Sequence, residues 1–383
     1  MSASVDVTGV SGASIGIEQA GQWQLIWWRF VRHRIAVAGG VIILLFYIIA
    51  LLADFISPAL PEKVSTRHTF APPQGLHLFY RNPDGSLGFG LHVYDYKVTI
   101  DRVAVRRIFV VDETKRIDAG LFVRSEPYLL LGLIPMEHRL IGPLDRTKPF
   151  YLLGADRLGR DVLSRILHGA RVSLSIGLVG VLMSLTLGVL LGGISGYYGG
   201  AVDDLIQRLV ELIRSIPSIP LWMGLAAAVP QDWSPLAVYF IITLIVSLVG
   251  WTDLARQVRG LVMSIKGEDF VLAARLDGAT GGRIILRHMI PSFTSHIIAT
   301  TTLAIPTMIL VETALSFLGI GLRPPIISWG TLLQEAQNVR TVAMAPWLLW
   351  PAGAVVLTVL AFNFFGDGLR DAADPYAHTE KGG

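Results

Sequence analysis

Six stretches that contain no Asp, Glu, Lys or Arg most constrain what this chain can fold into. They lie at 35–53, 172–201, 215–231, 233–252, 289–311 and 341–366. A helix needs about 20 mostly apolar residues to cross the hydrocarbon core of a bilayer, so each stretch is a candidate span. The third is the weakest, because Arg208, Glu211 and Arg214 come directly before it. The pattern predicts an all-α polytopic membrane protein with six transmembrane helices.

The composition limits the classes of function. Charged residues make up 16% of the 383 residues, whereas an average soluble domain has about 25%. The chain has no cysteine, which excludes disulfide bonds, zinc–thiolate sites and cysteine nucleophiles. Because the composition is that of a membrane protein, we interpret the net charge of +3 as basic residues that set the orientation of the helices in the membrane. No nucleic-acid partner is expected.

The charges that flank the first stretch predict the orientation. Arg29, Arg32 and Arg34 precede it, and cationic flanks stay in the cytoplasm. We therefore predict that residues 1–34 form a cytoplasmic tail with an interfacial segment, and that 35–57 form the first transmembrane helix. Six crossings return the C-terminal tail, 372–383, to the cytoplasm.

Residues 58–151 are too polar to lie in lipid. Alternating β-branched and aromatic residues predict strands at 92–98, 107–111 and 121–124, and the sequence Asn-Pro-Asp-Gly at 82–85 predicts a turn. By topology this region lies outside the cell. It is predicted to be a small β-rich extracytoplasmic insertion, ahead of a second membrane block at 152–371.

A glycine-rich segment before the second stretch does not predict a nucleotide site. Gly154 and Gly159 have the spacing of a phosphate-binding loop. That loop needs Lys followed by Ser or Thr, whereas Arg160 and Asp161 stand here. Any ATP must therefore be bound by a partner, and the sequence predicts no catalytic, cofactor-binding or metal site.

The predicted cytoplasmic connection at 253–290 contains a short helix. Glu268 and Asp269 are suited to its first turn, small Ala273 and Ala274 permit close approach by another surface, and Gly278 ends it. The residues alone leave two readings open, an ordinary surface connection or a docking site.

Three residues are candidates for a translocation pathway. Glu312 is an ionisable residue at the end of the fifth stretch, and such residues in membrane helices are functional candidates. Pro217 and Pro220 should kink the third span. The alternatives are an interfacial position for Glu312 and an ordinary kinked bundle helix for the prolines.

The predicted connection resembles the "EAA" loop through which the permeases of ATP-binding-cassette (ABC) importers contact their ATPases. Two positions depart from the motif, because Leu272 replaces its glutamate and His288 replaces an apolar residue. The resemblance implies an ATPase-coupling role for Glu268, Asp269, Ala273, Ala274, Arg275, Asp277, Gly278, Arg283 and Pro291.

Three further segments are similar to the second-subunit (C-type) permeases of oligopeptide, dipeptide and nickel importers. They lie at 154–165, 312–330 and 363–375. The resemblance implies a type I importer permease in the cytoplasmic (inner) membrane, with a homologous second permease, ATPase subunits and an extracytoplasmic solute-binding protein. Peptides are the expected solute class, with oligosaccharides or nickel as alternatives.

Two other classes of function remain as rivals. A secondary transporter or channel should show paired acids at mid-membrane or internal repeats, and an intramembrane hydrolase needs a facing nucleophile and base. The sequence displays neither pattern, so the importer permease is the preferred prediction.

Overall fold

The computed structural model of the chain describes residues 22–81, 86–101, 106–230 and 232–373. The turn predicted at 82–85, most of the N-terminal tail and the tail from 374 onward lie outside the described residues.

Five helices in the described residues are long and apolar enough to cross a membrane. They are α2 (Arg34–Leu51), α4 (Val162–Tyr198), α7 (Pro235–Ile265), α11 (Thr294–Phe317) and α14 (Trp350–Ala373), the last preceded by a 3-10 turn at Pro346–Leu349. At about 1.5 Å per residue, the 37 residues of α4 and the 31 of α7 extend well past a hydrocarbon core. Shorter helices are α1 (Gln22–Arg32), α3 (Ala53–Ile56), α8 (Asp269–Leu276), α9 (Gly281–Arg283), α10 (Ile290–Ser292), α12 (Trp329–Gln334) and α13 (Val339–Met344).

The third predicted span is a broken helix. Helices α5 (Gly200–Ser215) and α6 (Ser218–Ala227) meet at an angle of 84°, and they form a sixth crossing only if the pair is counted as one span. Pro217 lies at the break, where it has no N–H to continue the hydrogen bonds of α5. The kink predicted at Pro217 is therefore present, and it is sharper than a bend within one helix.

Glycines bring α4 and α7 into close contact. A methyl group at Gly188 would lie 2.8 Å from Leu254 Cβ, and one at Gly196 would lie 2.8 Å from the Arg259 carbonyl oxygen. One at Gly192 would overlap the backbone of Ala255. Small residues let helix backbones approach where lipid provides no hydrophobic drive for association. This glycine stripe is therefore the packing seam between the two longest helices.

The predicted insertion contains a four-stranded antiparallel sheet in the order β1-β2-β3-β4. Its strands are β1 (His77–Arg81), β2 (Leu87–Asp101), β3 (Arg106–Leu130) and β4 (Ile134–Pro143). The strand predicted at 92–98 lies in β2. Those predicted at 107–111 and 121–124 are parts of one long strand, β3, whose pairing shifts register between Arg124 and Tyr128.

Polar contacts fasten the sheet and α2 to α4. The Asp54 carboxylate accepts hydrogen bonds from Arg171 Nη2 at 2.9 Å and from the Leu131 N–H at 3.0 Å, and it lies 2.9 Å from His168 Nε2. Burial raises the pKa of Asp54, but the hydrogen bonds from His168 and Arg171 outweigh it and hold the pKa well below its usual range. The buried Arg139 donates to the carbonyls of Asp54, Ser57 and Ala59.

The segment with phosphate-loop spacing is held by a buried ion cluster. Asp156 pairs with Arg160 at 2.6 Å and with Arg165, and Glu335 pairs with Arg160 at 2.9 Å. A side chain at Gly154 would meet the Trp347 ring, and one at Gly159 would meet the Ser65 backbone. The two glycines therefore serve close packing.

Glu312 joins three elements in the interior. Its side chain is fully buried and accepts hydrogen bonds from Ser173 of α4 (3.2 Å), Ser316 of α11 (2.9 Å) and Ser328 before α12 (2.8 Å). Ser173 in turn accepts from the Trp329 N–H at 3.1 Å. This places Glu312 inside the chain's own packing, away from the interfacial surface considered as an alternative.

The seam predicts a specific sensitivity to side-chain size. Gly192→Ala should lower the stability of the chain, because overpacking costs about 1–3 kcal/mol and outweighs the roughly 1 kcal/mol that alanine adds as a helix former. Gly224→Ala in α6 is the matched control, since nothing lies within 4 Å of its added methyl group. Apparent melting temperatures in detergent measure both variants. Equal melting temperatures would contradict a tight seam.

Glu312→Ala should destabilise the fold, because three hydroxyl groups lose their acceptor at about 1–3 kcal/mol for each one left unsatisfied. Glu312→Gln keeps one carbonyl oxygen and should lose less. Thermal melting and solute uptake are measured on both variants. A normal melting temperature with lost uptake in Glu312→Ala would show that the residue acts in the pathway rather than in packing.

Candidate functional site

The short helix predicted between spans four and five is present as α8. Glu268 stands at its N-cap and Asp269 in its first turn, where a carboxylate favours the helix dipole. At its end the Gly278 N–H donates to the Arg275 carbonyl and the Ala279 N–H to the Ala274 carbonyl. Gly278 has a φ of +75°. This bonding pattern is a Schellman motif, which explains why a glycine follows the helix.

One side of α8 is fixed to the bundle. Val271 and Ala274 are buried in a hydrophobic cluster with Val258 and Val262 of α7 and Ile285 from the turn after α9. The prediction that both alanines face a partner is therefore corrected for Ala274, which packs against this chain's own core. Since α7 is held by the glycine seam, α8 is attached to a closely packed part of the bundle.

The opposite side of α8 is apolar and open. Leu276 is 88% exposed, and Phe270 and Leu272 are also exposed. Ala273 lies on the same open side between them. Large exposed apolar side chains grouped on one short helix are typical of an interaction surface. We call these four residues the outer face of α8.

The charged residues of the connection are distributed around this face. The Arg275 guanidinium lies over the Tyr197 ring at 5.1 Å, so it is engaged within the chain. Glu268, Asp269, Asp277 and Arg283 are exposed. The structure thus leaves two acids at the start of α8 and one at its end as a polar rim around the outer face.

Pro291 closes the connection at an irregular point. A π-helical turn at Ile284–Met289 precedes it, Pro291 itself lies within α10, and a break at Phe293 follows before α11 begins. Proline cannot donate a backbone hydrogen bond, and the preceding helix widens where that bond is missing. The segment predicted as one loop at 253–290 is therefore largely helical, because α7 continues to Ile265.

The pathway candidates lie in different surroundings. Pro217 and Pro220 are exposed at the bend between α5 and α6, whereas Glu312 is buried among serines. The structure does not bring the three residues together in one site.

A polar cleft between α4, α7 and α11 contains residues that the sequence analysis did not single out. It is lined by Asp253, Gln257, Thr300, Thr301 and Thr307 among apolar neighbours. The side chain of Asp253 is 64% exposed and pairs with Arg214 of α5. The signal in the sequence was a carboxylate directly after an uncharged stretch, which we took as the end of the span at 252.

Metal ions are held by clustered His, Cys, Asp or Glu side chains. Within the ranges that the structure describes, no group of three His, Asp or Glu side chains is placed to hold a metal ion. The candidate site consists of the outer face of α8 and the polar cleft.

Comparisons with known proteins identify the family. Residues 188–378 match the family described as "Binding-protein-dependent transport system inner membrane component", and residues 21–73 match "N-terminal TM domain of oligopeptide transport permease C". The four-stranded sheet lies between the two matched ranges.

Relatives with known names match most of their own length. The oligopeptide transport system permease protein OppC of Bacillus subtilis is 37% identical over 278 residues, which are 67% of this chain and 88% of that protein. OppC of Escherichia coli (strain K12) is 39% identical over 59% of this chain and 72% of its own length. The dipeptide transport system permease protein DppC of Bacillus subtilis is 38% identical over 58% and 68%, respectively.

A chain of the inward-facing MetNI methionine ABC transporter covers 55% of this chain and 96% of its own length, at 17% identity and a TM-score of 0.41. That likeness is too weak to add to the assignment. The relatives with known names carry it: this chain belongs to the family of binding-protein-dependent transport permeases, as a membrane-embedded permease of the oligopeptide-transport C type.

Proposed function

We propose that this chain forms one half of the translocation pathway of an ABC importer for peptides or related solutes. Its named relatives are oligopeptide and dipeptide permeases, which favours peptides over the oligosaccharide and nickel alternatives. A permease component is not an enzyme, so ATP is hydrolysed by partner subunits. The family assignment decides against a secondary transporter or channel.

The observation that carries the proposal is the outer face of α8. Phe270, Leu272 and Leu276 extend from a helix whose other side is fixed to the bundle. A rigid helix with an uncovered apolar side fits a groove on a partner protein. We assign that groove to the ATPase subunit, with Glu268, Asp269, Asp277 and Arg283 at the rim and Arg275, Gly278 and Pro291 shaping the support.

A second uncovered face suits the second permease. Exposed apolar residues recur on α5 and across the bend at a spacing of three or four residues. They are Val202, Leu205, Leu209, Leu212, Ile216 and Ile219. On α5 this spacing forms one stripe from Val202 to Leu212, whereas Ile216 and Ile219 lie beyond it, at the bend and on α6. Pro217 lies at the bend that ends this stripe, and we propose that the bend shapes the contact and, across it, the pathway.

The orientation follows from α8. If α8 meets a cytoplasmic ATPase and the bent pair α5–α6 is counted as one span, three crossings separate α8 from the sheet: α4, the pair and α7. The sheet then faces the extracytoplasmic side, where a solute-binding protein arrives, and both termini are cytoplasmic. Arginines 29, 32 and 34 before the first span support the same orientation.

Transport requires that closure of the ATPases moves this chain. Helix α8 packs on α7, and α7 packs closely against α4 along the glycine seam. A displacement of α8 therefore moves both long helices as one body. The polar cleft with Asp253 lies on that body, and we propose that it opens to solute as the body moves. ATP drives the change only through its different affinity for the two conformations.

The docking role of α8 is tested at Ala273. Ala273→Arg should abolish ATPase binding and ATP-driven uptake, because a long charged side chain would fill the centre of the outer face. Ala273→Ser is the matched control and should retain both. Copurification of the ATPases and uptake of labelled peptides into proteoliposomes are measured for both variants. Full ATPase binding by Ala273→Arg would contradict the proposed groove.

The Schellman cap predicts a graded effect. Gly278→Ala should loosen the end of α8, because a left-handed conformation costs about 1–2 kcal/mol for a residue with a Cβ. Nothing lies within 4 Å of the added methyl group, so no clash contributes. Hydrogen exchange of 269–276 should accelerate, whereas Gly282→Ala in α9 should leave it unchanged. Equal exchange in both variants would show that the cap does not hold the helix.

A further inference from the structure

The turn between β3 and β4 has an unusual composition for an exposed hairpin. Residues 127–136 contain no charged side chain, and their centre reads Leu-Leu-Leu-Gly-Leu-Ile-Pro at 129–135. Leu133 is 80% exposed, and Leu129 and Ile134 are more than half exposed. We call 129–135 the hairpin tip. Exposed turns are ordinarily formed by Gly, Asn, Asp, Ser or Pro.

The backbone conformation of the turn does not favour a leucine at position 131. Leu131 and Gly132 both have positive φ, at 54° and 73°. This is the pairing of a type I′ turn, in which Asn or Asp is strongly preferred at the first position. A leucine there is strained, and its neighbours in this chain do not cover it. Something outside the chain must favour leucine at this position.

The hairpin tip lies at the depth where the membrane begins. The Leu131 N–H donates to Asp54 Oδ2 at 3.0 Å, just beyond the end of α2 at Leu51. The same carboxylate binds Arg171, the last charged residue before the uncharged stretch of α4. Two membrane-crossing helices therefore place the backbone of the tip at the boundary of the hydrocarbon core.

Strands β3 and β4 run toward this boundary at the end where the hairpin tip joins them. At the other end of β4, Pro143 lines a cleft with Pro58 and Leu60, which lie further from α2 along the chain. Arg139 contacts the carbonyls of Ser57 and Ala59, and Leu131 reaches back to Asp54. Leu133 and Ile134 lie at the end of the hairpin that is nearest to the boundary. Helix α2 also has an exposed apolar side, which includes Leu44, Ile48 and Leu51.

The backbone of the turn is suited to an apolar environment. The Leu131 N–H is bonded to Asp54, the Gly132 N–H donates to the Leu129 carbonyl at 3.2 Å, and the Leu133 N–H donates to the Leu130 carbonyl at 3.0 Å. Backbone donors without a partner are costly in lipid. Each of these three successive donors has an acceptor inside the chain, so none of them loses a hydrogen bond when the turn leaves water.

We propose that the hairpin tip is inserted into the lipid bilayer and anchors the sheet to the membrane beside α2. The occupant of this surface is the acyl-chain region of the lipid, and the exposed leucines gain by leaving water. Anchored in this way, the sheet keeps a fixed tilt over the entrance of the bundle.

Site-specific fluorescence tests the proposal, because the chain contains no cysteine. Leu133→Cys and Ile134→Cys are labelled with an environment-sensitive dye in the assembled transporter, reconstituted in vesicles without binding protein. The wild-type complex gives the background labelling. Leu45→Cys on the exposed side of α2 is the lipid reference, and Ile100→Cys, exposed at the opposite end of the sheet, is the water reference.

The tip labels should lose emission in vesicles whose acyl chains carry bromine, as the Leu45 label does, and should resist aqueous iodide. The Ile100 label should show the reverse. Iodide quenching of the tip labels equal to that of the Ile100 label would overturn the proposal, because it would place the tip in water. Protection from both quenchers would also overturn it, because a protein partner would then cover the tip. A Leu45 label that escapes bromine would instead overturn the membrane crossing of α2, on which the proposed function also depends.

Discussion

The close approach of α4 and α7 is the contact on which the remaining structure depends. Their backbones meet along a stripe of glycines, where even a methyl group would collide. In a bilayer, helices associate through such van der Waals contact and through internal hydrogen bonds, because lipid does not drive apolar surfaces together. The seam ends near Gly196 and Val262, which is where the support of α8 begins. A movement of α8 would thus enter the bundle at a closely packed contact.

The opposite end of α4 is held by charge and hydrogen bonding. Asp54 ties α2 and the β3–β4 turn to Arg171, and Asp156 and Glu335 enclose the arginines at the start of α4. Buried charges are tolerated because each is paired, and removing one partner would leave the other exposed to a large desolvation cost. Helix α4 therefore lies between α8 at one of its ends and the sheet at the other. It makes close contacts at both ends.

Much of this architecture could be predicted from the sequence, because its signals are local. Uncharged stretches identified the long helices, the acids at 268 and 269 marked the start of α8, and Gly278 marked its end. What could not be predicted depends on distant partners. Helix α7 continues past 252 because Arg259 is neutralised by Asp203, 56 residues earlier. Likewise, Ala273 and Ala274 have equal propensities, and only the position of the cluster around Val271 decides which one faces outward.

The leucine at position 272 changes the character of the proposed ATPase contact. The EAA motif that this segment resembles has a glutamate there, which would face a partner as a charge. Here Leu272 lies on the same open side as Phe270 and Leu276. The acids are displaced to the ends of α8, at 268, 269 and 277. An apolar centre with a charged rim is the usual anatomy of a specific protein interface, in which burial supplies affinity and the rim sets orientation. In the proposed contact, Leu272 therefore moves the charge from the centre to the edge, and α8 retains an apolar surface that a partner groove can bind.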